Sequence, residues 1–280
     1  MARCYHMDDI EVGRYWDGNA EAWTALSRAG YDQSRDFFNT PQFLAILPDV
    51  AGLAGLDIGC GEGNNTRLLA RRGAKMTAID IAERFLDYAR QAERDGPLGI
   101  DYRHASAQAL PFADASFDFA TAFMCLMDIP KPERAIQEAY RVLRPGGFFQ
   151  FSICHPCFQT PRWRWVKDES GRKIGIVCGD YFDRIDGTVD EWIFGAAPEE
   201  LKQRYPKFRI PRFDRTLSEW VNMLIDAGFA VTRFQEPAPD DATIRQHPGF
   251  YGDRLFAWFL HIQCRKQGSG VGDQGSGVGD

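Results

Sequence analysis

The chain has 280 residues, 44% of them apolar and 26% charged, with 33 basic against 39 acidic side chains and a net charge of −6. That length holds one large core, or one core with a modest appended subdomain. The acidic balance does not attract a phosphate backbone, so a nucleic-acid partner is not expected. No apolar run approaches the roughly 18 residues of a membrane span. Residues 1–10 carry Asp8 and Asp9 without an apolar core, so neither a membrane nor a secretory leader is expected and the cytoplasm is the default location. Seven scattered cysteines, an odd number, predict reduced thiols.

In chain order, Trp23, Leu26, Phe37, Phe38, Phe43, Leu44 and Leu47 recur at helical spacing and predict two or three short helices over 19–47. Strand and helix then alternate. Residues 53–58 predict a strand, 65–72 a helix closed by Gly73, 75–79 a strand ending at Asp80, and 82–93 a helix. Strands are predicted over 100–105 and 117–124, and Pro132 opens a helix to about Leu143 that Pro145-Gly146-Gly147 stops. Residues 148–153 are apolar on both faces, as in a central strand covered by helices. The alternation predicts an α/β fold, a Rossmann-like doubly wound, mostly parallel sheet, its core starting near residue 51 and reaching 154.

The rhythm breaks over 155–214, which is rich in Trp, Tyr, Phe, Pro and Gly and is expected to form an inserted substrate cap with room for a small antiparallel hairpin. Thr216-Leu217-Ser218-Glu219 is a capping box that returns the chain to the core over 215–266. Strands over 229–234 and 255–263 are expected as an antiparallel pair at the sheet edge, giving seven strands in all. The twice-repeated QGSGVGD of 267–280 predicts a disordered glycine-rich tail.

The chemistry concentrates in LDIGCGEGNNT, residues 56–66. A strand ends in Asp57, and Gly59, Gly61 and Gly63 form a tight turn into a helix, where positive φ and a bare main chain admit a ligand. Asp80, ending the next strand 23 positions on (80 − 57), can accept both hydroxyls of a ribose at the sheet's switch point. The spacing is G-x-G-x-G, whereas a pyrophosphate binder shows G-x-G-x-x-G, and the acidic loop suits a sulfonium and an ammonium better than a diphosphate. Glu62 complements the dipole of the helix that follows.

With Leu110-Pro111-Phe112, Ser116-Phe117-Asp118 and the YRVLRPGG of 140–147, the sequence resembles the class I S-adenosylmethionine-dependent methyltransferases, especially their small-molecule type (methyltransferase type 11). The resemblance spans about 16–266. It implies S-adenosylmethionine as cofactor and S-adenosylhomocysteine as product. Gly59, Gly61 and Gly63 would wrap the methionine moiety and ribose, and Asp57 would hold the donor's amino group, directly or through water, unless it only anchors the loop. Asp80 would bind the ribose hydroxyls, Ile81 would lie on the adenine, and Ser106 and Ala107 would stand by its amino group. Family members often carry Asp where this chain has Ser106. Residues 1–50 would form a helical lid, in which Arg35 would pair with the donor carboxylate unless it is a surface arginine.

His155, following the fifth strand, and Asp128 with Met127, following the fourth, are expected at the crevice where an acceptor lies. There His155 and Asp128 could orient an acceptor or remove its proton. Cys154 and Cys157 are spaced C-x-x-C, but no second pair completes a zinc site, and no metal is expected. Trp163, Trp165, Tyr181, Phe182 and Trp192 suggest a largely apolar acceptor pocket. No Asn-Pro-Pro-Tyr follows the fourth strand, which argues against methylation of amino groups on DNA bases. The expected function is methyl transfer to O, N or C of a small, partly apolar molecule. Modification of tRNA or protein, and a non-catalytic donor-binding protein, remain as alternatives; a nicotinamide oxidoreductase is disfavoured by the glycine spacing.

Overall fold

The computed structural model describes residues 7–268, so the expected glycine-rich tail lies outside the described residues from 269 onward. The chain starts with a single long helix, α1 (Asp9–Arg28), where the spacing of large apolar residues predicted short ones. Its buried face is Val12, Gly13, Asn19, Ala20, Ala22, Thr24, Leu26 and Ser27. That face is small and polar, so a search for large apolar side chains finds only its end. Asp8 caps it, accepting from Glu11 N at 2.9 Å. A wide five-residue turn of helix, Arg35–Asn39, runs directly into α2 (Thr40–Ala45).

The core follows the predicted alternation: β1 (Ala54–Ile58), α3 (Asn64–Arg71), β2 (Lys75–Asp80), α4 (Glu83–Asp95), β3 (Asp101–His104) and β4 (Phe117–Phe123). A single 3-10 turn, Leu126–Asp128, leads to α5 (Pro132–Val142) and then β5 (Leu143–Cys154). Pro145-Gly146-Gly147 does not separate helix from strand as expected. The strand begins at Leu143, already paired with Phe117, and the bare Gly147 lets the chain pass Asp118, whose carbonyl would lie 2.7 Å from an added Cβ.

Two hairpins and a short helix form the insertion, where one hairpin was expected: β6 (Arg162–Lys167) with β7 (Lys173–Gly179), and β8 (Asp186–Trp192) with β9 (Phe208–Phe213), α6 (Glu199–Arg204) lying between the last two. The capping box at Thr216 forms with both of its arms and starts α7 (Leu217–Asp226). After β10 (Phe229–Gln235) come α8 (Asp241–Gln246), a 3-10 segment (Pro248–Arg254) and β11 (Phe259–Lys266). The last strand starts at Phe259, four residues later than expected.

Seven strands make one sheet in the order β10-β11-β5-β4-β1-β2-β3. β1 runs parallel to β2 and β4, β2 to β3 and β4 to β5, while β11 is antiparallel to both β5 and β10. Helices cover both faces, and β5 is buried from Gly147's neighbour Phe148 through Ile153. Parallel connections place every β1, β2, β4 and β5 C-terminus, and the loops that follow, along one edge.

Helix α1 ties this core to the insertion. Position 82, before α4, is an alanine with no capping side chain; Asp17 of α1 caps that helix instead, accepting from Arg84 N at 2.9 Å. Asn19 forms a double bond pattern with Arg209 of β9, donating to its carbonyl and accepting from its N–H, both at 2.9 Å. Trp23 packs against Phe194 and Phe208 with ring centroids 5.0 and 4.8 Å away. Among the described residues, no helix is long and apolar enough to cross a membrane.

Candidate active site

The glycine turn after β1 is stitched to β2 by Cys60 N donating to Ile79 O at 2.9 Å. Gly59 has φ +67°, and a Cβ there would lie 2.6 Å from Cys125 Cβ, so this position serves close packing against the loop after β4. Gly61 has φ +55°, and an added Cβ would meet nothing nearer than Phe85 at 4.0 Å; its main chain is open to the cavity described below. Gly63, expected to wrap a ligand with the other two, is turned the other way. It precedes α3 with φ +86°, and its missing Cβ makes room for the Tyr102 hydroxyl, 2.6 Å from where that Cβ would stand.

Two carboxylates end the strands beneath this turn. Asp57 is buried, with one oxygen accepting from Thr66 Oγ1 at 2.5 Å and the other from Thr121 Oγ1 at 2.8 Å. Loss of water raises its pKa to about 6 against the hydroxyl bonds that favour the charge. Asp80 accepts from Gly61 N at 2.7 Å and from Ala82 N at 2.8 Å, and burial pushes its carboxyl up as well. Each Asp80 oxygen keeps a lone pair beyond the main-chain bond it accepts.

A single cavity of about 1190 Å³ runs along the strand C-termini. Asp80, Ile81, Ser106 and Ala107 line one end, Asp57, Gly59 and Gly61 the middle, and Met124, Met127 and Asp128 the start of the other end, which the insertion walls with Trp163, Tyr181, Phe182, Trp192 and Arg212. Of the aromatics expected around an acceptor, Trp165 is elsewhere: it packs on Trp258 and Phe256 and under Lys173. Ser106 donates to Asp9 at the head of α1, and Gln108 Nε2 donates to the other Asp9 oxygen. Arg35 lines the cavity near the glycine turn, held by Asp36 at 2.9 Å and Ser27 O at 3.3 Å, with Glu62 at 3.8 Å. Glu62 does more than sit near a helix end: it accepts from Arg28 Nε at 2.8 Å and fastens α1 to the turn.

Asp128 and His155, the two expected catalytic side chains, part company. Asp128 is 7% exposed, borders the cavity and accepts no side-chain hydrogen bond among the described residues. Burial raises its pKa well above the carboxylate range, opposed only by the positive charge of Arg212. That guanidinium is held by Asp190 at 3.1 Å and Asp214 at 2.8 Å. His155 is turned out of the cavity, which is lined by its neighbours Cys154 and Pro156. Its Nδ1 accepts from Cys157 N at 3.2 Å, which leaves Nε2–H to donate to Glu236 at 2.9 Å. With both ring nitrogens engaged and desolvation lowering its pKa, it is a turn anchor and is not placed to act on an acceptor. Cys154 lines the cavity, whereas Cys178 is exposed on β7.

Sequence reasoning missed Asp9, Asn39, Arg212 and the Arg28–Glu62 pair. None has a local motif, because the contacts that matter, such as Asp9 with Ser106, Asn39 with His261 and Arg28 with Glu62, cross tens to hundreds of residues.

Comparison with known proteins bears on this geometry. The family model described as a methyltransferase domain matches residues 56–151. The chain is 33% identical over 191 residues to a fatty-acid O-methyltransferase of Mycolicibacterium smegmatis, covering 59% of this chain and 69% of that one. It is 38% identical over 186 residues to a demethylmenaquinone methyltransferase of Clavibacter sepedonicus, covering 66% and 69%. Among solved structures, an S-adenosylmethionine-dependent methyltransferase from Mesorhizobium loti superposes with a TM-score of 0.66 at 30% identity, covering 80% of this chain and 96% of that one.

Proposed function

Since the chain belongs to the class I S-adenosylmethionine-dependent methyltransferases, we propose that its cavity takes the donor at the Asp80 end and a small, partly apolar acceptor at the Asp128 end. The observation that carries this reading is the cavity itself. At about 1190 Å³ it exceeds the roughly 300–1,000 Å³ of a single-ligand pocket, and it runs without a break from the strand-end acids to the aromatic wall of the insertion.

The residues present fit the donor. The open main chain at Gly61 admits its methionine and ribose, with Gly59 shaping the same turn, and the free lone pairs of Asp80 suit two ribose hydroxyls. Ile81, Ser106 and Ala107 flank the adenine end, and Asp57 and Arg35 face the amino and carboxylate groups. Asp9, Asp57, Glu62 and Asp80 around this half complement a cationic molecule. When bound, the donor supplies a methyl group on a sulfonium sulfur, already an activated leaving group.

The protein's share is alignment and exclusion of water. Alignment of this kind lowers a barrier by about 7–11 kcal/mol, and the buried sheet edge roofed by α1 and the insertion keeps solvent out. Asp128 is the acid–base group. Burial gives its carboxylate an unusual appetite for a proton, Arg212 nearby steadies the ionised form, and a positioned base contributes about 10²–10⁴-fold. The apolar wall of the acceptor end agrees with relatives named for a fatty acid and for demethylmenaquinone. A reducing compartment such as the cytoplasm suits the free thiols of Cys60, Cys125, Cys154, Cys157, Cys178 and Cys264.

Calorimetric titration of S-adenosylmethionine and S-adenosylhomocysteine into the protein and into Asp80→Ala tests the donor end. The expected result is binding that the substitution weakens by at least about tenfold, the loss of one or two charge-assisted bonds. Equal binding by both proteins would move the donor away from Asp80.

A further inference from the structure

Asn39 carries a role that neither the glycine turn nor Asp128 supplies. It closes the wide helical turn after Arg35, is 2% exposed and borders the cavity. Its Oδ1 lies 2.7 Å from His261 Nε2 and 3.4 Å from Ser152 Oγ. His261 and Ser152 are fully buried, on β11 and β5.

An amide oxygen only accepts, so His261 must carry its proton on Nε2. Burial holds the ring neutral, with its pKa lowered to about 3, and its Nδ1 is left without a partner. In this arrangement Oδ1 faces His261 Nε2 and Ser152 Oγ, and Nδ2 is directed away from that pair. Asn39 Nδ2 has no protein partner among the described residues and is not among the side-chain atoms sealed from solvent without one. It stands at the cavity wall as a fixed donor. An unpartnered ring nitrogen in the core is costly; a phenylalanine at 261 would pack there without that cost. The histidine is what holds the amide.

The sheet order says which half of the cavity this donor serves. Strands stand about 4.8 Å apart, so β5 lies about 10 Å and β11 about 14 Å from β1. The glycine turn and Asp80 belong to β1 and β2, on the other side of β4. Apolar side chains stand on this side of the cavity: Phe259 and Phe250, which pack on Phe38, the neighbour of Asn39, and Phe123 and Met124 at the end of β4.

We propose that Asn39, locked by His261 and Ser152, donates a hydrogen bond to an oxygen of the methyl acceptor, which is therefore an apolar molecule, such as a ring or chain, bearing a hydroxyl or carbonyl oxygen. This rests on the donor lying at the Asp80 end. The test uses ¹⁵N-labelled protein, with and without S-adenosylhomocysteine, and identifies the Asn39 side-chain amide by its loss in Asn39→Leu. The probes are 4-hexylphenol and hexylbenzene.

The expected result is that the amide protons shift with 4-hexylphenol and not with hexylbenzene. Asn39→Leu should weaken 4-hexylphenol by about tenfold, the worth of one hydrogen bond, and leave S-adenosylhomocysteine unchanged. His261→Phe should release the amide and weaken 4-hexylphenol by about threefold or more. No response to 4-hexylphenol, or the same response to both probes, overturns the proposal. A response to S-adenosylhomocysteine alone, with its affinity lost in Asn39→Leu, also overturns it and assigns the amide to the donor's carboxylate. Absence of S-adenosylhomocysteine binding in the unsubstituted protein would instead overturn the donor reading, and the amide titration without it would still decide the role of Asn39.

Discussion

The two halves of the cavity are built on different principles. At the Asp80 end the groups that face a ligand are main chain or are braced by main chain: Gly61 is bare, and the two oxygens of Asp80 rest on backbone N–H groups, of Gly61 in the glycine turn and of Ala82 after β2. At the Asp128 end they are side chains assembled from the loop after β4, from β9, and from the turn before α2. Even the carboxylates differ. Asp57 has a hydroxyl on each oxygen, whereas Asp128, also buried, has none among the described residues. The hydroxyls on Asp57 favour its charged form, whereas Asp128, buried without such bonds, keeps its proton affinity for something that enters the cavity. A main-chain site suits a constant ligand, and a side-chain site can be altered one residue at a time.

If that contrast is right, the glycine turn should be the less forgiving half. Gly59→Val forces a side chain into a positive-φ position and against Cys125, and should cost about 3–4 kcal/mol, seen as a lowered denaturant midpoint. Gly61→Ala, with open space beside it, should cost about 1 kcal/mol while weakening S-adenosylhomocysteine in calorimetry. Equal stability losses would erase the distinction between packing and ligand glycines.

Asp128→Asn probes the other half. Methyl transfer should fall by about 100-fold with S-adenosylhomocysteine affinity retained, measured as single-turnover rates with any acceptor that the wild type turns over. The substitution also has a pH signature. The folded chain keeps the Asp128 proton at pH values where the unfolded chain has released it, above about pH 4. Wild-type stability therefore declines with rising pH from that point until the folded carboxyl itself ionises, and the asparagine variant should escape that part of the decline. Parallel urea curves for the two proteins at about pH 5 and about pH 8 would refute the burial argument.

Smaller effects sharpen the boundary between the halves. Asp17→Ala removes the cap that α1 lends to α4 and should cost about 1 kcal/mol, a fall in Tm of about 2–4 °C by calorimetry. His155→Gln should change the transfer rate by less than about threefold, far below the loss of a base. A hundredfold fall there would return the histidine to the active site and break the assignment of Asp128.

How much of this was legible beforehand varied with the range of the interactions involved. The glycine turn, Asp57, Asp80 and the capping box at Thr216 are local patterns, and each was placed from its neighbours alone. The length of α1 was not, because its inner face is Ala, Gly, Asn, Thr and Ser, chosen to let two layers approach closely. The direction of the His155 ring was not legible, because the end of a strand says which edge a residue occupies but not which way its ring turns; the Cys157 N–H and Glu236 decide that. The surroundings of Gly63 were hidden for a similar reason, since positive φ is shared by glycines that admit a ligand and glycines that admit a tyrosine.

The sequence by itself determined the alternation of strands and helices, the turn after β1 and the acids that end β1 and β2, because backbone conformation and apolar period act over a few residues. The tertiary structure alone decided that Asp9 meets Ser106, that Asp128 is left without a partner beside Arg212, and that Asn39 is held by His261, 222 positions away. Those facts depend on which distant side chains share a dry cavity, and dryness is a property of the packed molecule that no short stretch of chain possesses.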